Sequence, residues 1–347
     1  MSTPPITRPT TGPTTGPTTG RRLARVAAAC VALGVVTTLG SPVGAAPADK
    51  SNGNGGGKDK SCTQYGDLVA APEGMIPRDD AIHVDKDPLE AWVAEHPAQA
   101  GAAATLQAGE TVTIPVHFHV IRKSEGGPGD VDQQQIVDQV EVLNTSFAGT
   151  GFDFELVGTT RTTAPQWFPL LPTQGSDRRF VRGGSKEVNM KESLRQGDAQ
   201  TLNIYSSSLA QYLLGWAYLP WDFTGDNGET LPRYLDGVVV DYRTLPGGAY
   251  GQFYGLGDTG THEVGHWLGL FHTFENGCEG EGDHVDDTPY EAVPAFDCEI
   301  GRDTCPQPGT DPVTNFMDYT YDSCMDHFTE GQAERMRMIW AAHRTPA

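Results

Sequence analysis

An α+β fold is predicted by three features of this 347-residue sequence: five short β-type runs, three helical patterns, and no internal repeat. An α/β arrangement is the neighbouring reading at this level. Residues 109–347 should form one compact domain, where the apolar patterning sharpens. The elements follow in order. "TVTIPVHFHVI" alternates and is β-branched, so it predicts a strand. "DVDQQQIVDQVEVLNTSFAG" places Ile136, Val140 and Leu143 at helical spacing behind Asp130 or Asp132 as cap, which predicts a backing helix. "FDFELVGTTRT", "TLNIYSSSL", "LLGWAYLPW" and "LDGVVVDYRTL" predict four further strands, the fourth of the five ending at Pro220. "THEVGHWLGLFH" predicts a second helix, and "TEGQAERMRMIWAAHR" a C-terminal one capped by Thr329.

The segments before this domain differ in character. Over 1–46, Arg21, Arg22 and Arg25 precede the apolar run "VAAACVALGVVTTL", then "GSP" and small residues. That order describes a secretory signal peptide behind a repetitive tail, with cleavage after Ala46 or Ala48. The apolar run is too short for the roughly 20 residues a membrane span needs, so no stable membrane association is expected after cleavage. Residues 47–108 open with the Gly- and Lys-rich "ADKSNGNGGGKDKS" and read as a pro-segment or linker, with a short helix around "DPLEAWVAEHPAQAGAAA". Net charge is −21, and a surface that acidic should repel phosphate backbones, which excludes nucleic acid as a partner.

The second helical pattern carries chemistry. At 3.6 residues per turn His262 and His266 share one face, with Val264, Leu268 and Phe271 opposite. Two imidazoles at that spacing suit one zinc ion. Glu263 stands about 100° around the axis from His262, where a general base belongs. His272 cannot join them on a continuous helix. Gly269 can take a left-handed conformation, end the helix and let the chain return His272 as third ligand. Three neutral nitrogens with one open position make a catalytic rather than a structural zinc site.

Cysteine usage fits export. Signal removal takes Cys30 and leaves Cys62, Cys278, Cys298, Cys305 and Cys324. The last four should be oxidised, and three pairings are open to them. "CEGEGDHVDDTP" packs five acids into one loop, and hard oxygen ligands at that density suit calcium. His117 and His119 lack a third ligand nearby and read as structural.

"HEVGHWLGLFH" matches the signature His-Glu-x-x-His-x-x-Gly-x-x-His, and the chain resembles the metzincin zinc peptidases. With "NFMDY", "YDSC" and the cysteine pattern it looks most like their pappalysin group, peptidase family M43, over roughly residues 110–345. The resemblance implies a metzincin-type domain: a twisted mixed five-stranded sheet with backing, active-site and C-terminal helices above a disulfide-stapled lower part. It implies Met317 as the methionine turn beneath the metal and Tyr319 as an oxyanion donor. It further implies disulfides Cys278–Cys305 and Cys298–Cys324, calcium at Asp283, Asp287 and Thr288, and Asp322 as selector of Arg or Lys after the cleaved bond. A polypeptide substrate should pair with the edge strand "LLGWAYLP", where Trp216 and Tyr218 would line the binding groove. Cys62 is the expected latency residue, its thiolate covering the open zinc position in a zymogen. The expectation is a secreted, monomeric zinc endopeptidase with one catalytic Zn²⁺ and structural Ca²⁺. A catalytically silent zinc-holding binding protein, or a hydrolase of small amides, is the alternative, and retention of Glu263 argues against the first of these.

Overall fold

The computed structural model describes residues 87–105, 110–170, 184–209, 213–225 and 230–345. The signal segment 1–46, Cys62 and Gly109 lie outside the described residues.

Five strands form one twisted sheet: β1 (Val112–Arg122), β2 (Phe152–Thr163), β3 (Leu202–Ser207), β4 (Gly215–Trp216) and β5 (Val238–Asp241). Their spatial order is β2-β1-β3-β5-β4. The first four run parallel, and β4 pairs antiparallel to β5 at the edge, Gly215 opposite Val240 and Trp216 opposite Val239. Parallel neighbours need crossovers, and the backing helix α3 (Gln133–Ser146) supplies the one between β1 and β2. Asp132 caps α3 by accepting from the Gln135 amide, while Gln135 accepts from the Asp132 amide.

Period-two alternation divides the sheet's contacts between two cores. Val238, Val240 and Ile204 join α3, the active-site helix α6 (Asp258–Trp267) and the C-terminal helix α7 (Glu330–Ile339) in the larger core. Val239, Tyr205 and Trp216 enter a second core with Met190 and Leu235. Met190 belongs to α4 (Gly184–Leu194), a helix the sequence did not disclose. Among the described residues no helix is long and apolar enough to cross a membrane.

Two short helices, α1 (Pro88–Glu95) and α2 (Pro97–Ala104), replace the single helix expected upstream, because Pro97 opens a new one. They pack on the same domain. Leu89 is buried with Trp221, Phe271 and Ile339, and the Asp87 carboxylate takes two hydrogen bonds from Arg335. The packed domain therefore includes a stretch that the sequence assigned to the linker. A four-residue helix α5 (Gly251–Tyr254) precedes α6.

Candidate metal centre and active site

Helix α6 is buried along its whole length, so its polar side chains face a prepared environment rather than water. His262 Nε2 lies 3.1 Å from His266 Nε2, which lies 3.1 Å from His272 Nε2. All three ligand atoms fall within 4.8 Å of one another.

Two backbone acceptors fix the ring roles. His262 Nδ1 donates to the Phe316 carbonyl at 2.7 Å, and His266 Nδ1 to the Leu270 carbonyl at 2.8 Å. A proton on each Nδ1 leaves the Nε2 lone pair pointing inward. Tetrahedral zinc with nitrogens at about 2.0–2.1 Å separates its ligands by about 3.3 Å, close to the spacing seen. The donor set fits a zinc ion.

The bend that returns His272 is built by Gly269, at φ +94°. Gly269 N donates to the His266 carbonyl at 2.9 Å and Leu270 N to the Gly265 carbonyl at 3.0 Å, the paired bonds of a Schellman C-cap. The Leu270 carbonyl delivered by that cap is the acceptor for His266 Nδ1, so one turn both ends the helix and orients a ligand. Arg335 Nε donates to the Gly269 carbonyl at 2.9 Å and fastens the bend to α7.

Glu263 is buried beside the triad, and the edge strand runs against it: a Cβ added at Gly215 would lie 2.5 Å from Glu263 Oε1. Met317 is fully buried under the helix, where a Cβ added at Gly265 would meet its sulfur at 2.5 Å. Its turn is anchored by Asn315, whose Oδ1 accepts from Met317 N at 2.9 Å and whose amide pairs reciprocally with Gln332 of α7. The Tyr319 ring stands 5.0 Å from the His272 ring and 5.8 Å from that of His262. Asp322 is buried, with Oδ2 accepting from Leu256 N at 2.9 Å.

Below Tyr319 lies a network absent from the sequence reading. Asp318 Oδ1 accepts from the Tyr319 and Ala295 amides. Glu291 accepts from the Thr273 hydroxyl at 2.8 Å, next to His272, and pairs with Arg302, which also meets Asp311 at 3.0 Å. Burial drives the Glu291 and Asp318 carboxyls well above the usual carboxylate range. No periodicity marks such a cluster, because its members come from a loop without regular structure. Disulfides Cys278–Cys305 and Cys298–Cys324 staple that loop.

Two sequence expectations need correction. Trp216 and Tyr218 do not line a substrate groove: both side chains are buried in the second core, with Trp216 Nε1 and Tyr218 OH each donating to Glu187 at 2.9 Å. The alternation that exposes the strand's edge turns these two rings inward. Asp287 of the acidic loop has its Oδ2 engaged elsewhere, accepting from Gly331 N at the start of α7. Asp283 and Thr288 of the same loop do line a cavity, of about 160 Å³, together with Glu281 and Asp286. The side chains of Asp283 and Thr288 are buried there, and burial pushes the Asp283 carboxyl up to about 8, against the opposing pull of the Thr288 hydroxyl.

Comparison with known proteins gives this geometry a family. The family model described as pregnancy-associated plasma protein-A, peptidase M43, matches residues 254–341, from the approach to the active-site helix through α7. Extracellular metalloprotease 1 of Coccidioides posadasii is 42% identical over 247 residues, covering 71% of this chain and 82% of the relative. An extracellular metalloprotease of Colletotrichum graminicola is 45% identical over 236 residues, covering 67% and 78%. Among solved structures, Tannerella forsythia mature mirolysin in complex with a cleaved peptide superposes with a TM-score of 0.53 at 26% identity, over 69% of this chain and all of that one. Shared sequence across the fold, with the histidine triad and methionine turn assembled inside the matched segment, means that this chain belongs to the M43 family of metalloproteases.

Proposed function

We propose that this protein is a secreted, zinc-dependent endopeptidase that hydrolyses polypeptides. The observation that carries the reading is the convergence of three Nε2 atoms, two with their tautomer set by backbone carbonyls. The names of the extracellular relatives support secretion, and the cleaved peptide bound to mirolysin supports a peptide substrate. When bound at His262, His266 and His272, zinc supplies the Lewis acidity that polarises a carbonyl and acidifies water.

The chain's own residues do the rest. Glu263, buried beside the triad, takes the proton from the attacking water at its carboxylate and passes it to the leaving amine. Tyr319, whose ring stands beside two of the histidines, donates to the developing oxyanion. The edge strand β4, last in the sheet, receives the extended substrate backbone to backbone. Asp322 selects Arg or Lys after the cleaved bond, a role its burial as a carboxylate supports. Calcium binds at Asp283 and Thr288, whose buried side chains line a cavity together with Glu281 and Asp286. Residues upstream keep a zymogen silent, with Cys62 as its latency residue.

Profiling of peptides cut from a proteome-derived library tests the reading. Cleavage should be zinc-dependent, abolished by a chelator and by Glu263→Gln, and enriched in Arg or Lys at the position after the bond. Asp322→Asn should lower that enrichment about 10- to 100-fold, the worth of a charged hydrogen bond. Purified protein without stoichiometric zinc would overturn the proposal.

A further inference from the structure

We infer that Glu187 is a positioning residue: through Trp216 and Tyr218 it sets the depth of the edge strand against Glu263, and so aligns a bound polypeptide. The inference rests on the endopeptidase reading above and concerns a helix, α4, to which that reading gives no role.

Strand β4 and the residues after it alternate. Gly215 and Ala217 turn toward the active-site side, where Ala217 packs in the core that holds Val264 of α6. Trp216 and Tyr218 turn the other way, toward α4. There the Glu187 carboxylate, fully buried, accepts from Trp216 Nε1 on Oε1 and from Tyr218 OH on Oε2, both at 2.9 Å. Each of the two donors is two residues from the other, so one carboxylate grips two successive points on one face of the strand.

Lys191, one turn along the same helix, completes the clamp. Its Nζ lies 2.8 Å from Glu187 Oε1 and donates to the carbonyls of Leu235 at 2.8 Å and Gly237 at 3.1 Å, just before β5. The ammonium also sits over the Tyr218 ring at 4.8 Å. The pair thus ties α4 to the edge strand and to the strand it pairs with. Well-packed apolar residues of the same volume would serve stability as well as a buried ion pair does. What the charges add is direction: hydrogen bonds of fixed length to two rings.

The opposite face shows why direction matters. Gly215 approaches Glu263 so closely that a single carbon added there would lie 2.5 Å from Oε1 and 2.8 Å from Cγ. A strand in that contact cannot move inward, and the clamp keeps it from moving outward. A substrate pairing with β4 inherits that depth. Small displacements at a reacting centre are costly, because near-attack geometry spans only about 3–3.5 Å.

The test uses the full zinc-loaded chain with Glu187→Gln and the milder Tyr218→Phe. A long peptide that can pair with the strand is compared with a minimal one spanning little more than the scissile bond. For Glu187→Gln, kcat/KM on the long peptide should fall at least tenfold, mostly in KM, and the long-to-minimal ratio at least fivefold. Tyr218→Phe should shift the ratio in the same direction by about threefold. Backbone amides of residues 214–219 should exchange with deuterium at least tenfold faster in Glu187→Gln, with the amides of α6 unchanged. Equal losses on both peptides, no loss on either, or unchanged exchange at 214–219 would overturn the inference. Should Glu187→Gln fail to fold, Tyr218→Phe alone decides by the same ratio and exchange criteria. A wild-type chain that holds zinc and cleaves neither peptide refutes the endopeptidase reading instead, and the exchange measurement still judges the clamp.

Discussion

Gly269→Ala is the substitution that most directly probes the bend. A side chain at φ +94° costs about 1–2 kcal/mol in backbone strain. The new Cβ would lie 2.7 Å from Ile339 Cγ2 and 2.9 Å from Cγ1, inside the packed α7 interface, and overpacking of that kind costs about 1–3 kcal/mol. Together the penalty is about 2–5 kcal/mol, or roughly 4–20 °C in Tm for a domain of this size. The chain can relieve it only by opening the turn. That withdraws the Leu270 carbonyl from His266 and carries His272 off the other two nitrogens, so zinc affinity should fall at least 10- to 100-fold. Gly280→Ala is the matched control, since Gly280 has φ +63° and nothing within 4 Å of a built Cβ. It should lose about 1 kcal/mol and no zinc affinity. Thermal denaturation and chelator competition read both quantities. If Gly269→Ala lost no more stability than Gly280→Ala and kept its zinc, the account of the bend would be wrong.

Three further predictions follow from the site and its supports. Gly215→Ala should keep full zinc content but lose about 100-fold in kcat, because its Cβ displaces the Glu263 carboxylate; steady-state kinetics beside metal analysis check this. A chain starting at Glu110 strips Asp87 from buried Arg335 and the Ala104 carbonyl from Arg337, so denaturant unfolding should show a loss of about 3–5 kcal/mol or no folded state. His119 is fully buried between Thr160 and Asn203, and burial holds its pKa down at about 4, below the ordinary 6.5. The unfolded chain therefore binds a proton that the folded chain refuses. Stability is complete above pH 6.5 and lost as pH falls toward 4, by about 3 kcal/mol at most. His119→Gln should flatten that part of the stability curve.

What the sequence disclosed followed from its periodicities. The four longer strands and α3 carry apolar residues at spacings that burial enforces, and the bend glycine has a geometric task that only one conformation performs. Helix α4 was hidden because it buries Glu187 and Lys191 along with Met190, so its inward face does not look apolar. Trp216 and Tyr218 were misplaced for the same reason: an edge strand shows its backbone to one side and its rings to another, and the partner that claims the rings lies far away in sequence. Asp287 stands among four other acids, yet α7 uses it as an acceptor at its N-terminus, a contact that composition cannot reveal. The stretch from Asp87 to Ala104 resembled a linker because its small residues have weak patterning, and one buried Arg335 ties it down from the other end of the chain.

The two disulfides interleave: Cys298 lies inside the loop closed by Cys278 and Cys305, and Cys305 inside the one closed by Cys298 and Cys324. In the growing chain Cys278 appears before Cys298, a couple that the folded loop does not contain. Ring-closing entropy barely separates this wrong couple from the native ones, whose sequence separations are 27 and 26, so the choice between them falls to the packed loop itself. Wherever that first couple forms, thiol exchange must undo it before the native pair of bonds can close around the loop.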